Sequence, residues 1–313
     1  MDLTLTLISK LASMMLYAVV GYVIVKVGLL KSTDSKPISK LVVYVLQPCL
    51  IIHSFQIEVT AERLRGYLTV MVFSTLIYFV WIILARVGSR MFRLDPIDET
   101  TLVYSNVGNL VLPLISMTLG DEMVFYASAI QIPFNLLIWT HGYQTIRGVK
   151  GINFANVFKN TNVLAVIAGL VMMFLHIRIP EIPATTIEGL TSMLGPASMM
   201  VVGMVITEKN LKSVFTYKKA WGILFGRLIL FPLIAVALLF ASGFLRNHPE
   251  LVPMIMVGMM ALSAPPSSTV SQIAVVYDVH PVESSIYNVL GTFLCIATMP
   301  AMIMLFQALF PAA

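Results

Sequence analysis

Residues 263–272 read SAPPSSTVSQ and interrupt a stretch, residues 251–276, that is otherwise apolar enough to cross a membrane. These residues contain two adjacent prolines and five hydroxyl side chains. Each proline removes a backbone donor and clashes with the preceding turn, so an unbroken helix is not expected here. Lipid offers no partner for the freed backbone groups, which are tolerated only where protein or a watery cavity satisfies them. The stretch therefore predicts a helix that breaks inside the membrane, against other parts of the protein.

The composition indicates that lipid surrounds most of the chain. Of 313 residues, 58% are hydrophobic and 11% are charged, and the mean hydropathy is +0.90, whereas soluble domains carry about 25% charged residues. A spanning helix needs about 20 apolar residues. Ten stretches qualify, at about 5–25, 38–57, 67–87, 100–119, 123–146, 161–179, 186–207, 219–244, 251–276 and 283–309. The sequence predicts an all-α polytopic membrane protein with ten transmembrane helices in a single membrane domain, residues 1–313.

The basic residues lie mostly on one side of this predicted arrangement. If the N-terminus is outside, fourteen of the twenty fall in cytoplasmic loops: Lys26, Lys31, Lys36, Lys40, Arg86, Arg90, Arg93, Arg147, Lys150, Lys159, Lys209, Lys212, Lys218 and Lys219. Five lie outside, and Arg227 lies within span 8. This asymmetry follows the positive-inside rule and predicts that both termini are outside. It also explains the net charge of +5 without a nucleic-acid partner.

The two halves of the chain share a weak internal repeat. Residues 19–50 align with residues 167–198, so that Gly21 falls on Gly169 and Pro48 on Pro196. Because each half has five predicted spans, the second copy enters the membrane in the opposite orientation. Inverted repeats with interrupted helices at matching places are typical of secondary transporters.

Span 4 matches span 9 as the fourth span of its half. It reads YSNVGNLVLPLISMTLG from residue 104, with Asn106, Gly108, Asn109 and Pro113 within two turns. Its counterpart in span 9 is the cluster Pro265, Pro266, Ser267, Ser268 and Thr269. One alternative is a pair of merely kinked helices, since Pro and Gly are common in membrane helices. The other is two broken helices that cross and aim their positive N-terminal dipole ends at one small volume, which would form a binding site.

Several motifs together resemble the auxin efflux carrier family. SNVGNLVLPLISMTLG resembles that family's span 4, with Asn106, Pro113 and Gly120 in register, and PPSSTVSQIAVVYDVHP resembles its span 9. RLILFP, QPCLIIH and Gln131 match elements of spans 8, 2 and 5. No long hydrophilic central loop is present, which indicates the short prokaryotic branch of organic-acid permeases. Span 9 carries Ser267, Ser268, Thr269 and Gln272 where the plant carriers are more apolar, so auxin is not the expected substrate.

The resemblance implies a crossover fold of two inverted five-helix repeats, similar to sodium–proton antiporters and bile-acid symporters. Spans 1, 2, 6 and 7 (about 5–57 and 161–207) would form a scaffold and a homodimer surface. Residues of about 67–146 and 219–309 would form a transport subdomain that carries an organic anion by an elevator-like motion. It implies no enzyme activity and no cofactor, and it places the protein in a prokaryotic inner or plasma membrane.

The substrate-binding residues we predict are Asn106, Asn109, Gln131, Pro265, Pro266, Ser267, Ser268 and Arg227, with Gly108, Pro113 and Pro265 as hinge positions. All fifteen acidic residues lie in loops or near span ends. A sodium–proton antiporter would need a buried Asp near the midplane. Positive helix ends without an acid favour an anion instead, most simply a carboxylate.

Two other polar residues in spans have open roles. Arg227 is interpreted as a snorkelling arginine, as a tie to backbone carbonyls of another helix, or as a counter-ion for a carboxylate. His53 is either a hydrogen-bonded structural residue or a proton carrier. Cys49 and Cys295 both lie in spans, so neither a disulfide framework nor a metal site is predicted.

Other function classes stay open. An anion channel or an anion receptor that does not transport would share this fold and these residues. A cation–proton antiporter is disfavoured by the missing buried acid. A membrane enzyme is disfavoured because the chain has no H-E-x-x-H and no G-x-S-x-G, and because no buried acid pair is expected from the positions of its acidic residues.

Overall fold

The computed structural model describes residues 3–56, 61–111, 115, 119, 121–149 and 161–311. These residues are almost entirely helical, and no β-strand occurs among them apart from one isolated bridge. Seven of the described helices are long and apolar enough to cross a membrane. Predicted spans 4 and 9 do not form continuous helices in the described residues, because the chain leaves the helical conformation at residues 104 and 263.

The helices that matter below are numbered along the chain. They are α1 (Leu3–Lys26), α2 (Ser32–Ser54), α3 (Ala61–Phe92), α4 (Pro96–Val103), α5 (Met123–Arg147), α6 (Thr161–Phe174), α7 (Glu181–Ile206), α8 (Lys218–Ser242), α9 (Val252–Leu262), α10 (Ser268–Tyr277) and α11 (Pro281–Leu309). Short helices at Leu211–Thr216 and Phe244–Asn247 flank the two ends of α8.

Helix α3 illustrates how the sequence selects its packing. Ser74, Tyr78, Trp81 and Ala85 follow one another at spacings of three or four residues, and all are fully buried. Val72, Leu76, Phe79, Ile83 and Val87 have the same spacing on the opposite side and are more than half exposed. A helix that is apolar on both faces suits a protein core on one side and lipid on the other.

Wide π-helical turns precede two of the prolines. Residues Val42–Leu46 form such a turn before Pro48 in α2, and Gly226–Leu230 form one before Pro232 in α8. A proline clashes with the carbonyl four residues earlier, and a wider turn relieves that clash. Both helices therefore continue through their prolines.

Glycines allow two close helix contacts. On α1 and α7, a Cβ at Gly21 would lie 2.0 Å from the carbonyl oxygen of Met200, and one at Gly203 would lie 1.9 Å from that of Ala18. On α6, a Cβ at Gly169 would lie 2.2 Å from the Phe55 ring just after α2. Small residues that let backbones approach are a common means of helix association in membranes.

Candidate functional site

Both segments that break lie between well-defined helix ends. Helix α4 begins with a reciprocal cap between Asp95 and Asp98 and with Pro96 in its first turn, and it gives way to extended backbone at Tyr104. Helix α9 ends at Leu262, and α10 begins after Ser267, whose hydroxyl accepts a hydrogen bond from the Thr269 N–H at 3.2 Å. The prediction that span 9 breaks at its paired prolines is confirmed.

The two extended segments, residues 104–106 and 265–267, pair with each other, and we call this pairing the crossing. The Asn106 N–H donates to the Pro265 carbonyl at 2.9 Å, and the Ser267 N–H donates to the Tyr104 carbonyl at 3.0 Å. Ser105 and Pro266 face each other as an isolated antiparallel bridge. Each break thus supplies backbone hydrogen-bond partners for the other. This pairing is expected, because buried peptide groups are almost always hydrogen-bonded.

Residues from α11 support the crossing from a third side. The Asn288 side-chain amide donates to the Pro266 carbonyl at 3.3 Å. One turn further on, Gly291 leaves room for the proline ring, because a Cβ there would lie 2.4 Å from Pro266 Cδ. Neither residue is marked by the sequence as part of a site.

Arg227 is fully buried beside this break. Its Nη2 donates to the carbonyls of Leu262 and Ala264 at 3.1 and 3.2 Å, and its guanidinium lies 4.8 Å from the centre of the Trp81 ring. The snorkelling interpretation is wrong, because the side chain ends inside the protein. The guanidinium instead ties α8 to the end of α9 and to the segment that follows it, while its Nε and Nη1 have no hydrogen-bond partner among the described residues.

Neutral amide donors are also buried around the crossing segments and α5. Asn106 is 3% exposed and Gln131 is 1% exposed, and neither Asn106 Nδ2 nor Gln131 Nε2 has a partner among the described residues. Gln131 accepts from the Asn135 amide at 3.5 Å, which fixes its own amide group as a donor. Buried polar groups without partners are uncommon in proteins, and each calls for an explanation such as a bound water or ion.

The other predicted site residues fall into three groups. Pro265, Pro266, Ser267 and Ser268 are buried at the crossing or directly after it. Gly108 and Asn109 belong to a π-helical turn, Val107–Val111, and the Asn109 side chain is outside the described part, as is all of Pro113. His53 is exposed on α2, so the structure does not bury it with the polar residues above.

These features define an integral, multi-pass membrane protein organised around a buried pairing of two interrupted helices. The model of a family described as "Membrane transport protein" matches residues 6–157 and 149–303. The chain therefore belongs to this family, which is the auxin efflux carrier family, and the resemblance seen in its motifs is confirmed. Its members are membrane transporters and are generally not enzymes. A search of curated proteins gives no match to the chain.

Proposed function

We propose that this protein is a carrier of a small organic anion, a carboxylate, which binds at the crossing and moves by alternating access. The observation that supports this most is the set of buried donors without partners on Asn106, Gln131 and Arg227. None of these three side chains forms an ion pair or hydrogen bond with a carboxylate among the described residues. A carboxylate ligand would supply the missing acceptors.

The helix ends at the crossing favour the same charge. The C-terminus of α9 carries partial negative charge, and the N-terminus of α10 carries partial positive charge. Arg227 donates to the carbonyl of Leu262, the last residue of α9, and to that of Ala264 just after it, and so neutralises the negative end of α9. The positive end of α10, capped by Ser267, remains available. The residual field at the break is therefore positive, and it attracts an anion.

The burial of Arg227 supports a role beyond a structural tie. A buried charge without an ionic partner is costly, by several kcal/mol. The two carbonyls and the Trp81 ring offset part of this cost, but the Nε and Nη1 atoms have no hydrogen-bond partner among the described residues. An incoming carboxylate would accept hydrogen bonds from these two nitrogen atoms, as the hypothesis that Arg227 is a counter-ion requires.

We also propose the arrangement of ten helices in two inverted repeats, which two contacts between the halves support. Gly21 and Gly169, which the repeat aligns, each let their helix approach a helix of the other half, since α1 meets α7 and α6 meets the end of α2. The two breaks that pair at the crossing likewise belong to different halves. We extend the proposal to the full arrangement, in which both termini are outside and the protein lies in a prokaryotic inner or plasma membrane.

We also propose the two moving parts, with a scaffold at about 5–57 and 161–207 that forms a homodimer through spans 1, 2, 6 and 7. The transport subdomain would comprise about 67–146 and 219–309. Among the described residues, three side-chain hydrogen bonds join the parts: the hydroxyls of Tyr44 and Tyr277 lie 2.8 Å apart, Gln272 Nε2 donates to the Ser198 carbonyl at 3.1 Å, and the Tyr67 hydroxyl donates to Met173 Sδ at 3.9 Å. An elevator motion has to break all three.

The binding proposal is tested by thermal unfolding of the purified protein with a series of mono- and dicarboxylates. A ligand that binds the folded state raises the melting temperature, and at least one carboxylate should do so in the wild type but not in Asn106→Ala. The matched control is Asn162→Ala, which removes a buried amide of the scaffold that donates to the Val43 carbonyl at 3.0 Å. No carboxylate effect in any variant would refute the proposal.

The transport proposal is tested in liposomes with two cysteine pairs, after Cys49 and Cys295 are replaced. A bifunctional thiol cross-linker between Tyr44→Cys and Tyr277→Cys should stop saturable counterflow and leave binding intact, because it joins the two parts. The same cross-linker between Tyr143→Cys and Tyr277→Cys should be tolerated, since these residues, whose hydroxyls lie 2.6 Å apart, belong to the same part. Flux without saturation or counterflow would identify a channel, and binding without flux would identify a receptor.

A further inference from the structure

A charged junction lies at the start of α4, away from the crossing. Asp95 Oδ1 accepts from the N–H groups of Ile97 and Asp98 at 3.0 Å, and Asp98 Oδ2 accepts from the Asp95 N–H at 2.9 Å. Lys219 Nζ of α8 forms ion pairs with both carboxylates, at 2.7 Å from Asp95 Oδ2. The Tyr287 hydroxyl of α11 donates to Asp98 Oδ1 at 2.5 Å. Three helices therefore meet at one carboxylate.

This junction has more negative than positive charge. Two carboxylates share one ammonium group, and Asp98 is fully buried whereas Asp95 and Lys219 are partly exposed. Burial raises the pKa of Asp98 above its ordinary value, and the charge of Asp95 adds to this, although Lys219 and Tyr287 oppose it. The buried carboxylate is thus the group that accepts a proton first.

Several other titratable groups interact with the residues of the junction. Tyr217 interacts with Asp98, Lys219 and Glu283, and His280 interacts with Asp95. The neighbouring Glu99 belongs to a separate set, because it pairs with Arg86 of α3 at 3.2 Å and interacts with His141 of α5.

Each helix that meets at Asp98 also holds one part of the crossing. Helix α4 leads directly into residues 104–106. Helix α8 carries Arg227, which binds the carbonyls of Leu262 and Ala264. Helix α11 carries Asn288 next to Tyr287, and the Asn288 amide donates to the Pro266 carbonyl. The bonds made by Asp98 therefore fix the relative positions of all three supports of the crossing.

We propose that Asp98 is a proton-binding site whose charge state sets how firmly α4, α8 and α11 hold the crossing. A proton taken up by the carboxylate removes the ion pair with Lys219, which keeps its partner Asp95. The charge of the two carboxylates and the lysine then changes from −1 to zero. The crossing is held tightly when Asp98 is ionised and more loosely when it is protonated.

The consequence for coupling rests on the proposed function. A surplus negative charge opposes an anion at the crossing, and protonation of Asp98 removes it. Proton and anion therefore favour each other's binding, which makes the proton the coupling ion. The positive-inside distribution places the junction on the cytoplasmic side, where Lys219 is counted among the cytoplasmic basic residues.

The test uses the full-length protein in nanodiscs without any anion, so it does not depend on the proposed substrate. Infrared difference spectra between about pH 4 and pH 8 should show the C=O band of a carboxylic acid that forms above the ordinary aspartate pKa of about 4. Hydrogen exchange of residues 261–270, corrected for intrinsic rates, should become faster over the same transition. Asp98→Asn should lack both changes and show fast exchange at every pH.

Three variants separate this proposal from a structural role. Glu99→Gln, which removes the adjacent buried carboxylate, and His53→Gln, which removes the imidazole of span 2, should both keep the two transitions. Tyr287→Phe removes a donor that stabilises ionised Asp98, so its transitions should move up by about one pH unit. If Asp98→Asn does not fold, Tyr287→Phe alone decides. Transitions that persist in Asp98→Asn, or that do not move in Tyr287→Phe, overturn the proposal.

Discussion

Gly291 on α11 offers a stringent test of the crossing, because its missing side chain is occupied by a proline ring. A Cβ at this position would lie 2.4 Å from Pro266 Cδ and 2.9 Å from Pro266 Cγ. Carbon atoms in ordinary contact are about 3.5–4.0 Å apart, so Gly291→Ala requires a shift of about 1 Å. The proline cannot move by that much and keep the hydrogen bonds of both its neighbours, at 2.9 and 3.0 Å.

The magnitude follows from three contributions. Overpacking costs about 1–3 kcal/mol, and the loss of one hydrogen bond at the crossing costs about 1 kcal/mol. Alanine gains up to about 1 kcal/mol over glycine from helix propensity. The net destabilisation by Gly291→Ala is therefore about 1–3 kcal/mol.

The control is Gly222→Ala on α8, because nothing lies within 4 Å of a Cβ there. This variant should be neutral or more stable by up to about 1 kcal/mol. The two melting temperatures in detergent should then differ by about 2–6 °C, because an unfolding entropy of about 2.1 cal/mol/K per residue converts 1 kcal/mol into about 1.5 °C for a chain of 313 residues. The carboxylate that stabilises the wild type should stabilise only Gly222→Ala. Equal melting temperatures and equal carboxylate effects in both variants would refute the described packing of Pro266.

Three further outcomes are expected. Asn106→Ala should weaken carboxylate binding about tenfold to a hundredfold, because a hydrogen bond to a charged group contributes about 1.5–3 kcal/mol. Calorimetry measures this affinity, and a native value in the variant would contradict the prediction. Arg227→Lys keeps the charge but loses the forked donor, so this variant should unfold at a lower temperature and bind carboxylate more weakly. A variant identical to wild type in both assays would exclude the tie between Arg227 and the end of α9. In a background without native cysteines, Ser32→Cys should be protected from impermeant thiol reagents on intact cells and Glu250→Cys should be labelled; the reverse pattern would invert the orientation.

The break in span 9 could be predicted from the sequence because a proline acts locally. Pro265 and Pro266 remove two successive backbone donors and restrict the residue before them, whatever surrounds them. The sequence also marks Arg227 as a charged residue inside a span. It does not reveal the hydrogen-bond partners of Arg227, since the carbonyls of Leu262 and Ala264 become acceptors only because α9 ends there.

Asp98 and His53 show why the rest could not be predicted. Asp98 precedes a predicted span, a position where charges are usually solvated, and its burial arises only when α8 and α11 pack over the start of α4. His53 lies on a helix with apolar residues on all sides, so the sequence does not decide which face is buried. In both cases the deciding contacts come from elements distant in the chain.

The pairing of the two breaks also has a consequence for how the protein is made. Residues 104–106 are synthesised about 160 residues before residues 265–267, which supply their backbone partners. At about 5–20 residues per second, the nascent first half waits roughly 8–32 seconds for them. During that time the Tyr104 carbonyl and the Asn106 N–H lack these partners, and an unsatisfied backbone group in hydrocarbon costs several kcal/mol. The first half therefore depends on water or on the insertion machinery for these hydrogen bonds until the ribosome has passed Ser267.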